Sequence, residues 1–414
     1  MEHLLFLCHR IPYPPDKGDK IRSYNWLQGL SGRYRIHLGT FLDEDRDEQY
    51  TGLVRSLCED ALFLRLRGYQ RVAKAPGALV RHEALTLASY RNTALRQWVD
   101  ALANRVSFRA VLAFSSGMAP YALVPSLRGV RRIMDFVDAD SEKWRQYAVH
   151  SRPELRWLYR REARRMLAAE GRFARAFDAN VFVSDSEARL FLSRVPDAPK
   201  VEVVGNGVDC DYFDPRRDYR DPYDGAPALV FTGAMDYAAN ADAVRWFAHE
   251  VFPRIRARIG RARFTVVGHR PTQAVRRLER LPGVAVTGRV EDVRPWLAHA
   301  RAVVAPLRIA RGVQNKVLEG LAMDRPLLAT PQAIDGIGAY PAGLDTVSDD
   351  PEVLAAAAIG HLDGTTEPQQ GVRRRFVQRN HGWAASVERL ACLLEGGTAS
   401  GGALARHLVT GDPA

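Results

Sequence analysis

Lys316 and Glu319 are the residues of this sequence whose types and spacing point most directly to chemistry. They stand three residues apart in GVQNKVLEGLA, residues 312–322, a composition that predicts a loop followed by the start of a helix. A lysine at a helix N-terminus attracts phosphate, and a carboxylate one turn later can accept two hydrogen bonds from a ribose diol. The pair therefore fits a nucleoside diphosphate, with an exposed Lys–Glu ion pair as the alternative interpretation.

Two arginines precede this pair in the chain. Arg308 and Arg311 follow an apolar run at residues 302–306 that predicts a buried strand. Together with Lys316 they would supply a bidentate grip on a diphosphate. Solvated arginines on a surface loop are the alternative.

The first half of the chain carries a second set of polar residues after predicted strands. The loop PPDKGDK, residues 14–20, places Gly18 between a strand and a helix, where the backbone can approach a phosphate closely. The phrase MDFVDADSEKW, residues 134–144, places Asp138 at a strand end, where a carboxylate can take a proton from a hydroxyl group. A glycine that only completes a turn, and acidic residues that only cap a helix, are the simpler alternatives.

Apolar runs that predict strands alternate with helical patterns along the whole chain, as is typical of parallel sheets with helices on both faces. The runs that predict strands are 4–8, 36–41, 110–114, 132–135, 179–183, 228–232, 263–267, 284–287, 302–305 and 326–330. A stretch rich in Gly, Pro, Asn and Asp near residues 204–227 predicts a hinge. We expect an α/β protein with two doubly wound Rossmann-like domains facing across a cleft. The predicted domains are residues 1–205 and 206–394, with the last helix able to cross back to the first domain, followed by a flexible tail at 395–414.

Composition sets further limits. The 414 residues are 46% hydrophobic and 26% charged, as in a globular enzyme, and the net charge of +11 predicts an anionic partner. Seven arginines lie between Arg156 and Arg175, among Trp, Leu and Tyr residues. A basic amphipathic helix of this kind is either a solvated face or a contact with an anionic membrane surface, and no nucleic-acid-binding motif accompanies it.

The termini and cysteines also exclude some classes. The N-terminal segment lacks the basic start of an export signal, and no apolar run reaches the ~20 residues that a transmembrane helix needs. The four cysteines are isolated, which argues against structural zinc and a disulfide framework. We expect a cytoplasmic protein that holds no metal.

Several phrases together resemble the GT-B glycosyltransferases, specifically the retaining enzymes of family 4. They are VSDSEARLF (183–191), NGVDCDYFDP (206–215), TGAMDYAAN (232–240) and GVQNKVLEGLAMDRPLLAT (312–330). The phrases PYPPDKGDKIRSYNWL and MDFVDADSEKW further resemble the sugar transferases associated with exosortase and PEP-CTERM systems of exopolysaccharide synthesis.

The resemblance implies roles for individual residues. Gly18, Asp19 and Gly233 would lie against the donor phosphates or the acceptor. Arg289 and Val290, in TGRVED, would contact the nucleotide base. Glu319 would bind the ribose, and Arg308, Arg311 and Lys316 would hold the diphosphate. Arg311 stands where the family carries the first of two glutamates, which leaves the identity of the sugar open.

The resemblance also implies a function. We expect a metal-independent glycosyltransferase without a cofactor, moving a sugar from a nucleotide diphosphate sugar to a lipid-linked or growing exopolysaccharide acceptor with retention of configuration. Asp138, Arg308 and Lys316 are its expected catalytic residues, and the inner face of the cytoplasmic membrane is its expected location. The alternatives are a nucleotide-sugar epimerase on the same fold and a non-catalytic protein that binds a nucleotide sugar.

Overall fold

The computed structural model describes residues 1–15, 17–66, 74–150, 153–310, 313–337, 340–366 and 369–398. It divides the chain into two compact units, one of Met1–Gly205 with Ser386–Ala414 and one of Asn206–Ala385. The final helix, Trp383–Glu395, therefore begins in the second unit and continues in the first.

The first unit contains a seven-stranded sheet in the order β3-β2-β1-β4-β5-β6-β7, with every neighbouring pair parallel. Its strands are β1 Glu2–Cys8, β2 Tyr34–Leu42, β3 Asp60–Arg65, β4 Phe108–Phe114, β5 Arg131–Val137, β6 Ala179–Phe182 and β7 Val201–Val203. The chain begins with β1 near the centre of the sheet, adds β2 and β3 on one side, and then adds β4 to β7 on the other side. The direction in which strands are added therefore reverses between β1 and β4. At such a point the loops after neighbouring strands diverge and leave a crevice for a ligand.

Helices connect these strands. Those that the structure describes are Gly18–Ser31, Thr51–Arg55, Ala75–Val80, Leu85–Tyr90, Thr93–Ala103, Ala119–Ala122, Asp140–His150, Pro153–Ala176 and Asp185–Arg194, with 3₁₀ turns at Asp45–Tyr50, Ser116–Met118 and Pro125–Leu127. The helix Pro153–Ala176, here called the arginine-rich helix, contains the predicted basic amphipathic segment. Met166, Ala169 and Phe173 of this helix are buried, whereas Leu155, Trp157 and every arginine except the half-buried Arg161 are exposed.

The second unit repeats this architecture with six strands in the order β10-β9-β8-β11-β12-β13, again parallel throughout. Its strands are β8 Ala228–Thr232, β9 Arg263–Val267, β10 Val284–Gly288, β11 Ala302–Ala305, β12 Leu327–Ala329 and β13 Thr346–Val347. Its described helices are Ala238–Trp246, Phe252–Arg258, Gln273–Arg276, Arg294–His299, Asn315–Ala322, Pro331–Ile334, Pro351–Asp363 and Val372–Asn380, with a π-helical turn at Phe247–Val251 and 3₁₀ turns at Arg277–Arg280 and Asp335–Ile337.

Each unit buries its own apolar core. All five residues of β8 and all four of β11 are buried, because helices cover both faces of the sheet. Burying one such valine or leucine contributes about 1.5 to 3 kcal/mol, so the strands are fixed and their carboxyl ends form a rigid edge. Two doubly wound Rossmann-like sheets confirm the predicted α/β architecture. In the described part of the chain, no helix combines the length and apolar character needed to cross a membrane.

Candidate functional site

The loop after β8 lies against the helix Asn315–Ala322 in the second unit. Gly233 has a φ of 151°, and a Cβ atom built there would stand 2.9 Å from Asn240 Nδ2 and 3.4 Å from Lys316 Cε. A side chain at this position would press on the groups beside Lys316, so the close approach requires glycine. The structure thus brings together Gly233 and Lys316, which the sequence analysis had selected separately.

Lys316 is held by a neighbouring amide. Its Nζ donates a hydrogen bond to Asn240 Oδ1 at 2.6 Å and lies 4.9 Å from the centroid of the Phe231 ring. Asn240 is in turn oriented by a hydrogen bond from Nδ2 to the carbonyl of Ala234, at 2.9 Å. Burial lowers the pKa of Lys316 to about 8, and the nearby Glu319 opposes this shift only in part. A bound anion would favour the charged ammonium.

Glu319 lies one turn further along the same helix and is half-buried. Burial raises the pKa of its carboxyl group to about 7, against the opposing effect of Lys316. Within the described residues, no hydrogen bond or ion pair reaches the Glu319 carboxylate, so both oxygens can accept from a ligand. Asn240 was missed by sequence reasoning, although its place in TGAMDYAAN, next to the predicted Gly233, was a usable signal.

Tyr212 lies within electrostatic range of Glu319. Burial raises the pKa of Tyr212, and the negative charges of Asp292 and Glu319 add to that shift. The Arg294 guanidinium lies over the Tyr212 ring, with 3.9 Å from Cζ to the ring centroid, and Arg294 also bonds Asp292 at 2.7 Å. The aromatic ring and the guanidinium therefore adjoin each other within electrostatic range of the Glu319 carboxylate, a combination that suits a nucleoside.

The segment TGRVED, predicted to flank a nucleotide base, ends at Asp292 of this group. Arg289 is exposed, and Val290 is partly buried against the core of the second unit. The Tyr212 ring was missed because its segment was selected as a hinge and as a phrase of the family resemblance, with no role given to its individual residues.

The two arginines predicted to hold the diphosphate, Arg308 and Arg311, have different outcomes. Arg308 forms a two-point ion pair with Asp242 of the helix Ala238–Trp246, at 3.0 Å from Nε and 2.5 Å from Nη2. Its guanidinium is half-exposed and already holds a carboxylate. Arg311 lies outside the described residues.

A further basic residue reaches the same edge of the sheet from β9. Arg270 has a φ of 52° and donates to Asp236 at 3.3 Å, while the neighbouring His269 carbonyl accepts a hydrogen bond from the Met235 amide at 2.9 Å. The loops after β8 and β9 are therefore tied together. Only Arg308, Arg311 and Lys316 were selected from the sequence to hold the diphosphate, but adjacent parallel strands end at one edge, and that rule would have found Arg270.

In the first unit, Asp19 is held by two basic side chains. His9 Nε2 lies 3.2 Å and Arg10 Nη1 lies 2.9 Å from its Oδ2. Burial pushes the pKa of Asp19 upward, but the hydrogen bonds and charges of His9 and Arg10 outweigh this and hold the pKa far below its usual range. The His9 ring stacks on Phe114, with 5.7 Å between centroids, and its Nδ1 is buried without a hydrogen-bond partner in the described structure. His9 was not selected from the sequence, where the candidates of the first unit came from the phrases PPDKGDK and MDFVDADSEKW.

Gly18, the other residue selected in this loop, begins the helix Gly18–Ser31. A Cβ atom built there would meet nothing within 4 Å, so the space around it is open. The lysines on either side are engaged by carboxylates, Lys17 by Glu44 and the fully buried Lys20 by Asp47 at 2.8 Å.

Asp138 follows Val137, whose φ of 68° is a strained conformation for a β-branched residue. Asp138 is exposed to solvent, but the surrounding protein desolvates its carboxyl group. This desolvation, followed by repulsion from Asp140, raises the pKa of Asp138 to about 6. A carboxylate with such a pKa can exchange a proton with a ligand near neutral pH.

One family model matches the sequence of the second unit. Residues 226–363 match the family described as glycosyl transferases group 1. The match includes Gly233, Asn240, Lys316 and Glu319. None of the curated proteins matches the chain.

Solved structures match over almost the whole chain. Anabaena Alr3699/HepE in complex with UDP and glucose is 12% identical, with a TM-score of 0.64 over 96% of this chain and 100% of that one. The sucrose-phosphate synthase tll1590 of Thermosynechococcus elongatus is 16% identical, with a TM-score of 0.62 over 95% and 98%. The lipopolysaccharide outer core galactosyltransferase WaaB is 11% identical, with a TM-score of 0.58 over 94% and 98%. These likenesses confirm the predicted GT-B fold, and within it residues 226–363 match the family model of the glycosyl transferases group 1.

Proposed function

We propose that this chain is a glycosyltransferase that takes a sugar from a nucleoside diphosphate sugar. The observation that carries the proposal is the Lys316–Glu319 pair at the N-terminus of the helix Asn315–Ala322, beside Gly233. Two half-buried ionisable groups with pKa values displaced toward neutrality have little reason to be retained unless a ligand uses them. The family match of residues 226–363 and the UDP bound in the similar HepE structure support the proposal.

The two groups would bind different parts of the donor. The Lys316 ammonium and the first-turn amides of its helix would face the diphosphate, because both favour negative charge. The Glu319 carboxylate would accept hydrogen bonds from the ribose hydroxyls, since no described residue uses its oxygens. Tyr212 and Arg294 would lie beside the nucleoside, and Arg270 and Arg308 are additional candidates for the phosphates.

We further propose that transfer retains the anomeric configuration. The departing diphosphate carries the negative charge that develops as the glycosidic bond breaks, and Lys316 would stabilise that charge. The acceptor hydroxyl would attack from the same face of the sugar, and Asp138 of the first unit is the candidate group to take its proton. This scheme requires neither a covalent sugar–protein bond nor a metal.

For the acceptor, we propose a lipid-linked or growing exopolysaccharide chain at the inner face of the cytoplasmic membrane. The support is the arginine-rich helix together with exposed apolar side chains near its start. Trp157 is 61% exposed and Leu155 is 42% exposed, and Tyr147 and Val149 of the preceding helix are exposed as well. Tryptophan, tyrosine and arginine are favoured at the boundary between lipid headgroups and hydrocarbon.

The first test is the thermal unfolding midpoint of the protein with UDP, GDP, ADP and their sugars. A ligand that binds only the folded state raises the midpoint, so one base should produce a shift. In Glu319→Ala the affinity should fall about tenfold, which corresponds to about 1.4 kcal/mol. An unchanged affinity in a folded variant would contradict the ribose assignment.

Incubation with the selected nucleotide sugar then separates the possible activities. Transfer to an added glycolipid or polysaccharide acceptor would support the proposal. Conversion of the donor in the absence of an acceptor would indicate an epimerase. Binding of the donor without turnover in the presence of every acceptor tested would indicate a non-catalytic protein.

A further inference from the structure

The first unit contains a cavity that has no part in the donor site. Its volume is about 650 Å³, and three segments of the first unit line it: residues 81–96, residues 117–121 and one face of the arginine-rich helix at residues 165–173. Apolar side chains, among them Leu87, Tyr121 and Phe173, contribute to the lining. The volume is within the usual range for sites that bind small organic molecules and exceeds what a lone inorganic ion requires.

The charges on this cavity are strongly unbalanced. Its lining contains five arginines and a single acidic residue, Glu83. The arginines are Arg81, Arg91, Arg96, Arg165 and Arg172. Glu83 is engaged by Arg91 and, at 3.6 Å, by Arg81. The remaining three guanidinium groups have no ion pair with any described residue, and cations that share a cavity repel each other unless an anion joins them.

A helix N-terminus adds to the positive potential. The helix Thr93–Ala103 begins at the cavity, with Asn92, Thr93 and Arg96 in the lining. The Asn92 side chain caps it by accepting from the Leu95 amide at 3.2 Å. Tyr121 fixes the approach to this helix, since its hydroxyl donates to the Tyr90 carbonyl and accepts from the Asn92 amide, both at 2.6 Å. The rim of the cavity is therefore anchored to the core.

The arginine-rich helix presents two different arginine pairs. Arg165 and Arg172 are seven residues apart, hence nearly two turns, and line this cavity with Ala169 between them. Arg160 and Arg164 lie on another face of the helix, around Leu167. The helix therefore separates its charges into a pair that faces the cavity and a pair that does not.

We propose that this cavity is a binding site for a phosphate or diphosphate group carried on an apolar stem. Guanidinium groups bind phosphate oxygens in pairs, and the apolar lining suits the stem. The same chemistry occurs in membrane lipid headgroups and in soluble phosphorylated molecules, so the experiment must distinguish these two sources. The inference does not rest on the donor assignment, because every residue involved belongs to the first unit.

The test compares two double variants with equal loss of charge. Arg165→Ala/Arg172→Ala removes the pair in the cavity, and Arg160→Ala/Arg164→Ala is the matched control on the other face of the helix. Calorimetric titration with dihexanoyl phosphatidic acid and with geranyl diphosphate measures soluble ligands. Co-sedimentation with phosphatidylcholine vesicles, with and without phosphatidic acid, measures the membrane arm.

With the soluble probes, we expect the cavity variant to lose about tenfold or more in affinity for at least one of them, and the control to keep wild-type affinity within about threefold. The two variants are compared on the soluble probes alone, because the arginine-rich helix is itself proposed to contact the membrane. Binding to acidic vesicles and to phosphatidic acid supports a lipid source, whereas binding only to free geranyl diphosphate supports a soluble one. Failure of the wild type to bind any probe, or equal losses in the two variants, overturns the proposal.

Two controls keep the result interpretable. If the cavity variant unfolds, Arg165→Lys/Arg172→Lys keeps the charge but removes the paired hydrogen-bond geometry, and we expect it to bind the phosphate probe more weakly than wild type. The nucleotide-dependent shift in unfolding midpoint is measured in every variant. It should persist in the cavity variants, so that a failure of the donor proposal and a failure of this one are told apart.

Discussion

The loops after β1 and β8 occupy the same position in their respective sheets but differ in how their charges are used. After β1, Asp19 holds His9 and Arg10, and Arg10 also reaches Asp43 at 2.8 Å. After β8 and β11, Lys316 has a single amide partner and Glu319 has none among the described residues. The loop after β1 satisfies its charges internally, whereas the segments after β8 and β11 leave two charges for a ligand. The difference indicates that single substitutions should weaken donor binding more than they disturb the loop after β1.

The glycines of the two loops show the same contrast. Gly18 has open space where a Cβ atom would be, and Gly233 has neighbours at 2.9 and 3.4 Å. In the first loop, Gly18 begins a helix at a position where a side chain would also fit. In the second, it permits the contact on which the proposed donor site depends.

The largest effect should come from Lys316→Ala. We expect the transfer rate to fall about 100- to 1000-fold, by analogy with the loss of one donor that stabilises a developing negative charge. Arg308→Ala should cost much less, because Asp242 already occupies that guanidinium. Steady-state kinetics of both variants, with circular dichroism to verify folding, measure the difference. Equal losses would show that Arg308 leaves Asp242 and binds the donor.

Asp138→Asn should have the second-largest effect, and it tests whether the first unit contributes to transfer but not to donor binding. We expect a loss of about 100-fold in transfer with donor affinity unchanged, as for removal of a general base. Because desolvation by the surrounding protein and repulsion from Asp140 raise its pKa to about 6, Asp138 is mostly ionised only above that pH, so the wild-type rate should rise with pH through about 6. The variant should lack this rise. Asp197→Asn, which removes an exposed carboxylate paired with Arg175, is the control. A weakened donor affinity in Asp138→Asn would instead place this residue in the donor site.

Gly233→Ala and Gly18→Ala compare the two loops directly. At Gly233 the φ of 151° and the close neighbours should weaken nucleotide binding about tenfold or more, since strain of this kind costs about 1 to 3 kcal/mol. Gly18→Ala should leave nucleotide affinity unchanged and stabilise the protein slightly, by about 0.4 to 1 kcal/mol, because it restricts the unfolded chain. Titration of nucleotide and thermal unfolding of both variants provide the test, and a tolerated Gly233→Ala would contradict the proposed contact.

The smallest effect should be the pH dependence of nucleotide affinity. Glu319, with a pKa of about 7, must be ionised to accept hydrogen bonds, and Lys316, with a pKa of about 8, must be protonated to hold a diphosphate. Affinity should therefore be highest between about 7 and 8 and fall by about tenfold per pH unit on either side. Titration of Glu319→Gln should show no acidic limb. An affinity that does not change between pH 6 and pH 9 in the wild type would show that neither group binds the nucleotide.

The sequence predicted the strands that lie inside the sheets better than those at their margins. Ten strands were located, but β3, β7 and β13 were not, and each of these is an edge strand. Their residues are mostly only half-buried, and β7 and β13 are too short to show the continuous apolar run that marks a strand covered on both faces. β3 does contain an apolar run, at residues 61–64, and that run was a usable signal.

The residues of the candidate site also differ in how far the sequence could predict them. Lys316 and Glu319 could be selected because they share one helical turn, and Gly233 because it follows a strong strand. Asn240, Arg270 and Tyr212 were not selected, because they approach from other segments of the chain. The phrase TGAMDYAAN and the shared edge of parallel strands were signals for Asn240 and Arg270, whereas spacing gave none for Tyr212. The carboxylate that engages Arg308 was equally hidden, since Asp242 is 66 residues away in the chain.

The helix Trp383–Glu395 bears on the order in which the molecule is made. From Ser386 it belongs to the first unit, where Arg131 donates to the Leu393 carbonyl at 2.7 Å and Arg109 to that of Glu395 at 2.9 Å. The ribosome must therefore complete the entire second unit before it delivers the last piece of the first. At about 5 to 20 residues per second, the 180 residues of Asn206–Ala385 take about 10 to 40 seconds. During that interval the nascent first unit displays the apolar surface that this helix will cover, and chaperones that bind such surfaces would meet it at that stage.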